Sequence, residues 1–228
     1  MKNLIFLIMI LIFVFDSAHS EDNTKTMASK PFAKVELTSN LIEDGYSQTS
    51  NSFGLLTDVG YRWEQFDLGV RGNNVYFKNE QAHLTLQPHL SIISNFSPVS
   101  RFYVEYETRL YFNQSSRNGS RLSVGLQIED YLVKYESLTN WWGLDVVKNR
   151  FSFSYTYFWK QDFSSDFYIG YNIVDEANTT PYADTAVNIK FQKDNLEYYA
   201  ELILISSVVE YIPNGQPTTL RFGVKTQF

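Results

Sequence analysis

The chain has 228 residues, no cysteine, a formal net charge of -6 and an aromatic content of 17%. Without thiols there is no disulfide framework, no Cys-ligated metal site and no cysteine for a lipid anchor. An acidic balance without basic clusters argues against nucleic acid as a partner.

Met1-Lys2-Asn3 is a short basic start, Leu4 to Phe15 is an unbroken apolar run, and Ala18-His19-Ser20 is a small-x-small site. Together they predict a secretory signal peptide over residues 1–20, too short in its apolar part to anchor a bilayer. Residues 21–31 are polar and are expected to be flexible. A single domain over residues 32–228 follows from the length that is left.

That domain reads as strands. In Arg101 to Phe112 every charge falls on an odd position, and every even position is apolar or Thr. A period of two is the signature of a strand. Similar runs cover Ala33–Asn40, Phe53–Trp63, Phe66–Asn73, Ala82–Ile92, Phe102–Phe112, Leu122–Ile128, Tyr131–Glu136, Phe151–Trp159, Phe167–Ile173, Thr185–Gln192, Leu196–Leu204 and Thr219–Phe228, which makes about twelve strands by this period. Short connections (Glu64-Gln65, Asn95 to Ser97, Glu129-Asp130, Gln161 to Ser165, Lys193 to Asn195) alternate with longer polar ones such as Leu41–Ser52 and Ser137–Val147. This alternation predicts an all-β antiparallel transmembrane barrel, with short turns on the periplasmic side and long loops outside.

Parity then assigns the faces. Phe53, Leu55, Val59, Tyr61 and Trp63 share one face, as do Phe151, Phe153, Tyr155, Tyr157 and Trp159. No charge interrupts either set, as lipid contact demands. The opposite face carries Lys34, Glu36, Asp58, Arg62, Asp67, Arg71, Glu105, Glu107, Arg109, Lys134, Glu136, Lys190, Glu197, Glu201, Arg221 and Lys225, nearly balanced in sign and expected to line the interior. Pro88 removes a ladder donor within its strand, so a bulge is expected there. The last strand sets Leu220, Phe222, Val224, Thr226 and Phe228 against Arg221, Lys225 and Gln227. Its alternating end, carried by Phe222, Val224 and Phe228, reads as a signal for the barrel assembly machinery. Outer-membrane lipid and lipopolysaccharide are then the surroundings expected in a Gram-negative cell.

Ser39-Asn40-Leu41-Ile42-Glu43-Asp44-Gly45-Tyr46-Ser47-Gln48-Thr49 resembles the S-N-Y-x-F-R-G-x-S-Q-T opening of the TorF-like porins, a bacterial family catalogued without an assigned function. Gly60-Tyr61, Asn73 to Phe77 and Tyr182-Ala183-Asp184 extend the resemblance. It implies an outer-membrane barrel with a pore function, and marks Ser39, Asn40, Gly45, Ser47, Gln48 and Thr49 as family positions. Glu43-Asp44 stands where the family has Phe-Arg, which reverses the local charge.

Other candidates carry blander chemistry. His83 and His89 share the inward parity of one strand but lie about 20 Å apart, too far to hold one metal ion. No Ser, His and acid constellation can be assembled from sequence. The Asn-x-Ser/Thr triplets at Asn95, Asn113, Asn118 and Asn178 read as turn chemistry. Glu43-Asp44 reads as a solvated loop, with cation binding as the alternative. Tyr135, Trp141, Trp142, Tyr157, Phe158 and Trp159 read as interfacial anchors, with sugar stacking as the alternative. The expectation is a weakly selective outer-membrane channel for small solutes, with no cofactor. A closed structural or adhesive barrel, or a barrel hydrolase or lipid A-modifying enzyme, are the other readings.

Overall fold

The computed structural model describes residues 30–43, 46–76, 83–175, 180–206 and 217–228. The signal segment, most of the flexible segment, Gly45 and Asn178 lie outside them. Strand β1 is Lys30–Thr38, followed by a two-residue ladder of β2 (Ile42–Glu43) with β3 (Tyr46–Ser47). Then come β4 (Gly54–Arg62), β5 (Phe66–Asn74), β6 (Leu84–Ser97), β7 (Ser100–Tyr111), β8 (Gly119–Ile128) and β9 (Tyr131–Leu138). The chain ends with β10 (Lys148–Lys160), β11 (Phe163–Val174), β12 (Tyr182–Lys193), β13 (Leu196–Ile205) and β14 (Thr218–Gln227).

All except β2 and β3 join one closed barrel of 12 antiparallel strands, in which each strand pairs with its chain neighbour and β1 closes on β14. Closure leaves no open edge, which is what a strand-built span of a bilayer requires. Among the described residues no helix is long and apolar enough to cross a membrane. The crossing elements are strands.

Most strands run further than the sequence reading had them, β8, β10, β11 and β12 each starting three or four residues earlier, and the turn expected over Gln161 to Ser165 is Gln161-Asp162 alone. β1 begins at Lys30, so Lys30 and Pro31 are already paired with Arg62 and Tyr61. β6 runs on to Ser97, and the turn is Pro98-Val99 rather than Asn95 to Ser97. Proline presets φ for a tight turn, and the Ser97 hydroxyl accepts the Val99 amide at 3.3 Å. The expected bulge at Pro88 is absent. Pro88 is exposed on the outer face and pairs with Val70 in an unbroken ladder to β5. Toward β7 the pairing skips Gln87 and Pro88 but keeps one register on both sides, and the register shift falls between Asn95 and Ser97 instead.

Parity sorts the side chains as two solvents require. Leu55, Val59, Tyr61, Leu68, Val133, Phe151, Phe153, Ile169, Val187, Leu202, Leu220 and Phe222 are exposed around the outside. Asp58, Asp67, Glu107, Arg109, Glu136, Lys148, Asn172 and Asp184 are buried within. An apolar belt around the whole barrel far exceeds the patches that soluble monomers expose. Lipid is the solvent that fits it.

Glycine sets how closely the wall packs. A Cβ at Gly60 would stand 2.2 Å from the Leu68 carbonyl and 2.7 Å from the Gly69 Cα, both of them backbone. Backbone in a closed barrel has no free direction in which to retreat. Gly60→Ala is therefore expected to destabilise the folded barrel by about 1–3 kcal/mol, measured as a lowered midpoint of urea unfolding in lipid vesicles.

Candidate functional site

The interior-facing charges form a continuous network. Glu107 is fully buried and takes Arg71 Nη1 at 2.7 Å, Arg109 Nε at 2.7 Å and Arg121 Nη2 at 2.8 Å. From Arg71 the network runs to Asp58, which meets His89 Nε2 at 2.8 Å. From Arg121 it runs to Glu136, at 3.7 Å, and Glu136 also holds Lys134 at 2.8 Å. Arg150 links Glu136 at 3.4 Å to Asp184 at 2.6 Å.

Three of these bridges step over an intervening strand, one of them being Arg71 to Glu107, which joins β5 to β7 past β6. The Arg150 to Asp184 pair joins β10 to β12 across Gly170, where an added Cβ would meet Asp184 Oδ1 at 2.8 Å. His89 joins β6 to β4 across Gly69, where an added Cβ would meet its Nε2 at 2.7 Å. A side chain at either position would fill the path of the bridge.

The other interior charges named from sequence are paired too. Arg62 holds Asp67 through Nη2 at 2.7 Å, Lys225 holds Glu197 at 2.8 Å, Lys190 pairs with Asp166 and Arg221 with Glu201. Glu36 accepts the Tyr199 hydroxyl at 2.6 Å, and the Lys34 ammonium lies 5.6 Å over the Phe32 ring. Glu105 accepts the Ser91 hydroxyl at 3.0 Å and sits 3.8 Å from Arg71. Pairing reaches so far that most interior cations face an acid rather than open lumen.

The first-loop motif folds as a knot around one amide. Asn40 Oδ1 accepts the Ser47 hydroxyl at 2.6 Å and the Thr49 hydroxyl at 3.2 Å, while Asn40 Nδ2 donates to Asn51 at 2.8 Å. The Gln48 amide donates to the Leu41 carbonyl at 2.7 Å, and the Gln48 carbonyl accepts the Tyr76 amide at 2.8 Å. Ser39 Oγ accepts the Phe222 amide at 3.0 Å and ties the segment to β14. A loop of this length needs its polar backbone satisfied to bury itself.

It buries itself across the barrel mouth. Tyr46 is fully buried, in edge contact with Trp141 at 6.2 Å, Trp142 at 6.0 Å and Tyr182 at 5.8 Å. Leu138, Val174 and Ile205 complete the cluster. These residues stand at the long-loop ends of β9, β11, β12 and β13 and in the β9–β10 connection, away from the β1 and β4 strands that carry the segment. Beside Tyr46, Glu43 pairs with Arg109 and lies 3.4 Å from Arg121. The space left between Glu43, Gln48, Arg109, Arg117, Trp141 and Trp142 is about 10 Å³, at the lower limit for a single water.

The opposite end is roomier. A space of about 430 Å³ is lined by Arg101, Gln127, Ser154, Asp166, Asn188 and Glu201 among others. Another of about 360 Å³ lies between Lys34, Glu36, Glu197 and Lys225. The interior is thus a polar vestibule on the short-turn side that narrows to a plugged mouth on the long-loop side.

Among solved structures, the NanC porin matches with a TM-score of 0.57 at 11% identity, over 86% of this chain and 99% of that one. The KdgM porin matches with a TM-score of 0.55 at 14% identity, over 87% of this chain and 99% of that one. The fold is that of outer-membrane porins. The KdgM porin is also solved in complex with disordered oligogalacturonate, and that structure matches with the same TM-score of 0.55. No protein-family model matches this chain, and no curated protein matches it by sequence.

Several sequence-stated roles change with the geometry. Glu43 is held between two guanidiniums rather than solvated, and Asp44 lies outside the described residues. Trp141 and Trp142 are not interfacial anchors: left-handed backbone at Asn140 (φ 51) and Trp142 (φ 57) turns them into the mouth, where Arg117 stacks on Trp142 at 5.3 Å. Tyr157, Phe158 and Trp159 are exposed near the short-turn end of β10, where a girdle belongs, and Tyr135 donates its hydroxyl to Asn149 at 2.7 Å. His83 is exposed and apart from His89. On the outer face, Phe222 and Phe228 are exposed and Val224 is half-buried. Asn113 (φ 62) occupies a turn, and Asn118 Oδ1 accepts the Tyr111 amide at 2.8 Å. Sequence reasoning passed over Tyr46, Tyr182, Arg121, Arg150, Asp166 and Asp184. Tyr46, Tyr182 and Asp184 sit inside the quoted family elements and Arg121 on the inward parity of its strand, so these four had a signal.

Proposed function

We propose that the chain is a narrow, weakly selective outer-membrane channel for small polar solutes, related to the TorF-like porins and without catalytic activity. Residues 1–20 export it, the assembly machinery reads its last strand through Phe222, Val224 and Phe228, and lipid and lipopolysaccharide surround it. The observation that carries this reading is a polar, charge-balanced interior with spaces of about 430 and 360 Å³ on one side of a single constriction. A purely structural barrel has no need of a hollow polar interior. Lys34, Glu36, Asp58, Arg62, Asp67, Arg71, Glu105, Glu107, Arg109, Lys190, Glu197, Glu201, Arg221 and Lys225 line it.

The oligogalacturonate bound by the KdgM porin is a polyanion, and a polyanion calls for a row of free cations. Here Arg62, Arg71, Arg109, Arg150, Lys190, Arg221 and Lys225 are each committed to an acid. Small solutes fit this interior better than long charged chains. A closed barrel is the second reading, favoured by the plugged mouth. The two part in a planar bilayer: the folded, inserted protein is expected to give a small conductance with weak charge preference. No current above the empty-bilayer baseline would put the closed barrel in front.

A further inference from the structure

Three guanidiniums, those of Arg71, Arg109 and Arg121, converge on the single carboxylate of Glu107. One carboxylate does not satisfy three guanidiniums, and each has a further acid in reach, Asp58 lying 3.6 Å from Arg71. Glu105 is more distant, at 3.8 Å from Arg71 and 3.9 Å from Arg121. Glu136, at 3.7 Å from Arg121, is shared with Lys134 and Arg150. The arms that Glu107 leaves over, Arg109 Nη2 and Arg121 Nη1, both turn to Glu43 Oε1.

Glu43 differs in kind from the other acids. Glu107 stands on a barrel strand and its side chain is 0% exposed, whereas Glu43 sits on a two-residue ladder outside the barrel and its side chain is 24% exposed. A wall acid cannot leave without unfolding the wall. Glu43 can leave with its segment, and its departure takes the acid from the desolvated Arg109 Nη2 and leaves Arg121 Nη1 with Glu136 alone, at 3.7 Å, which is costly until another anion replaces it. Guanidinium forks match carboxylate geometry.

We propose that Arg109 and Arg121 form a carboxylate seat at the constriction, filled from within the chain by Glu43 and taken by the carboxylate of a small solute when the β1–β4 segment withdraws. The proposal deepens the channel reading, because it names the solute class that the mouth admits. In the closed form Glu43 is the occupant, and about 10 Å³ is left beside it. A solute therefore competes with Glu43 for the seat instead of adding to it. Glu43→Ala removes that competitor and leaves room for the lost carboxymethyl group, which acetate matches in shape and charge.

The test uses the whole folded barrel in detergent, with saturation transfer from protein to acetate protons at constant ionic strength against chloride. Glu43→Ala is expected to half-saturate at an acetate concentration at least fivefold below wild type. Adding Arg121→Gln to it should reverse that gain, while adding Arg62→Gln, at the far end, should not. Equal half-saturation in wild type and Glu43→Ala, or an undiminished gain with Arg121→Gln, would overturn the seat. A barrel that passes no current yet shows the expected acetate pattern keeps the seat and removes the channel reading.

Discussion

Tyr46→Ala is expected to raise single-channel conductance several-fold over wild type, with frequent transitions between levels. Tyr46 is the fully buried anchor of the plugging segment, and its ring contacts span Trp141, Trp142 and Tyr182. Truncating a buried aromatic costs about 3–5 kcal/mol. The Glu43 pairs with Arg109 and Arg121 remain to reseat the segment, which is why transitions between levels are expected. A change of about 3 kcal/mol shifts an open–closed equilibrium by roughly two orders of magnitude. The Asn40 knot stays on the β1 side and does not hold the far side of the mouth. Tyr61→Ala, which removes a lipid-exposed ring, serves as control and should conduct like wild type. Wild-type conductance from a folded Tyr46→Ala barrel would mean that the segment does not limit the path.

The barrel was legible because strand period and lipid act on the same alternation. In β7 the odd positions Glu105, Glu107 and Arg109 face inward as parity demands, and Tyr106 and Leu110 face outward. The mouth was not legible, because a segment outside the ladder has no period to say where it goes. Asn40 and Ser47 looked like family markers. Only the fold shows that they are hydrogen-bonded to each other, and that this bond shapes the loop carrying Tyr46. Trp141 and Trp142 misled for a related reason: aromatics beside a polar loop suit an interface, and nothing local announces the left-handed residues that redirect them. Pro88 misled in the opposite sense, since an edge or bulge is the general rule, yet a missing donor can be absorbed as a gap on one side of a ladder whose register is fixed elsewhere.

The neighbouring residues Val187 and Asn188, at the middle of β12, allow the sharpest test of facing. Val187 is exposed on the outer side and lies between Phe167 and Leu202 on the adjacent strands. Val187→Arg puts a guanidinium into the lipid belt near mid-depth, where charge costs about 2–4 kcal/mol. Asn188 lies between Asp166 and Glu201, and its side-chain oxygen is buried without a hydrogen-bond partner. It also borders the space of about 430 Å³, so Asn188→Arg has both room and acids to meet. The folded fraction in lipid vesicles, read from urea titration, should therefore fall sharply for Val187→Arg and stay near wild type for Asn188→Arg. Equal stability of the two would mean that the Val187 face does not meet lipid and would overturn the membrane assignment.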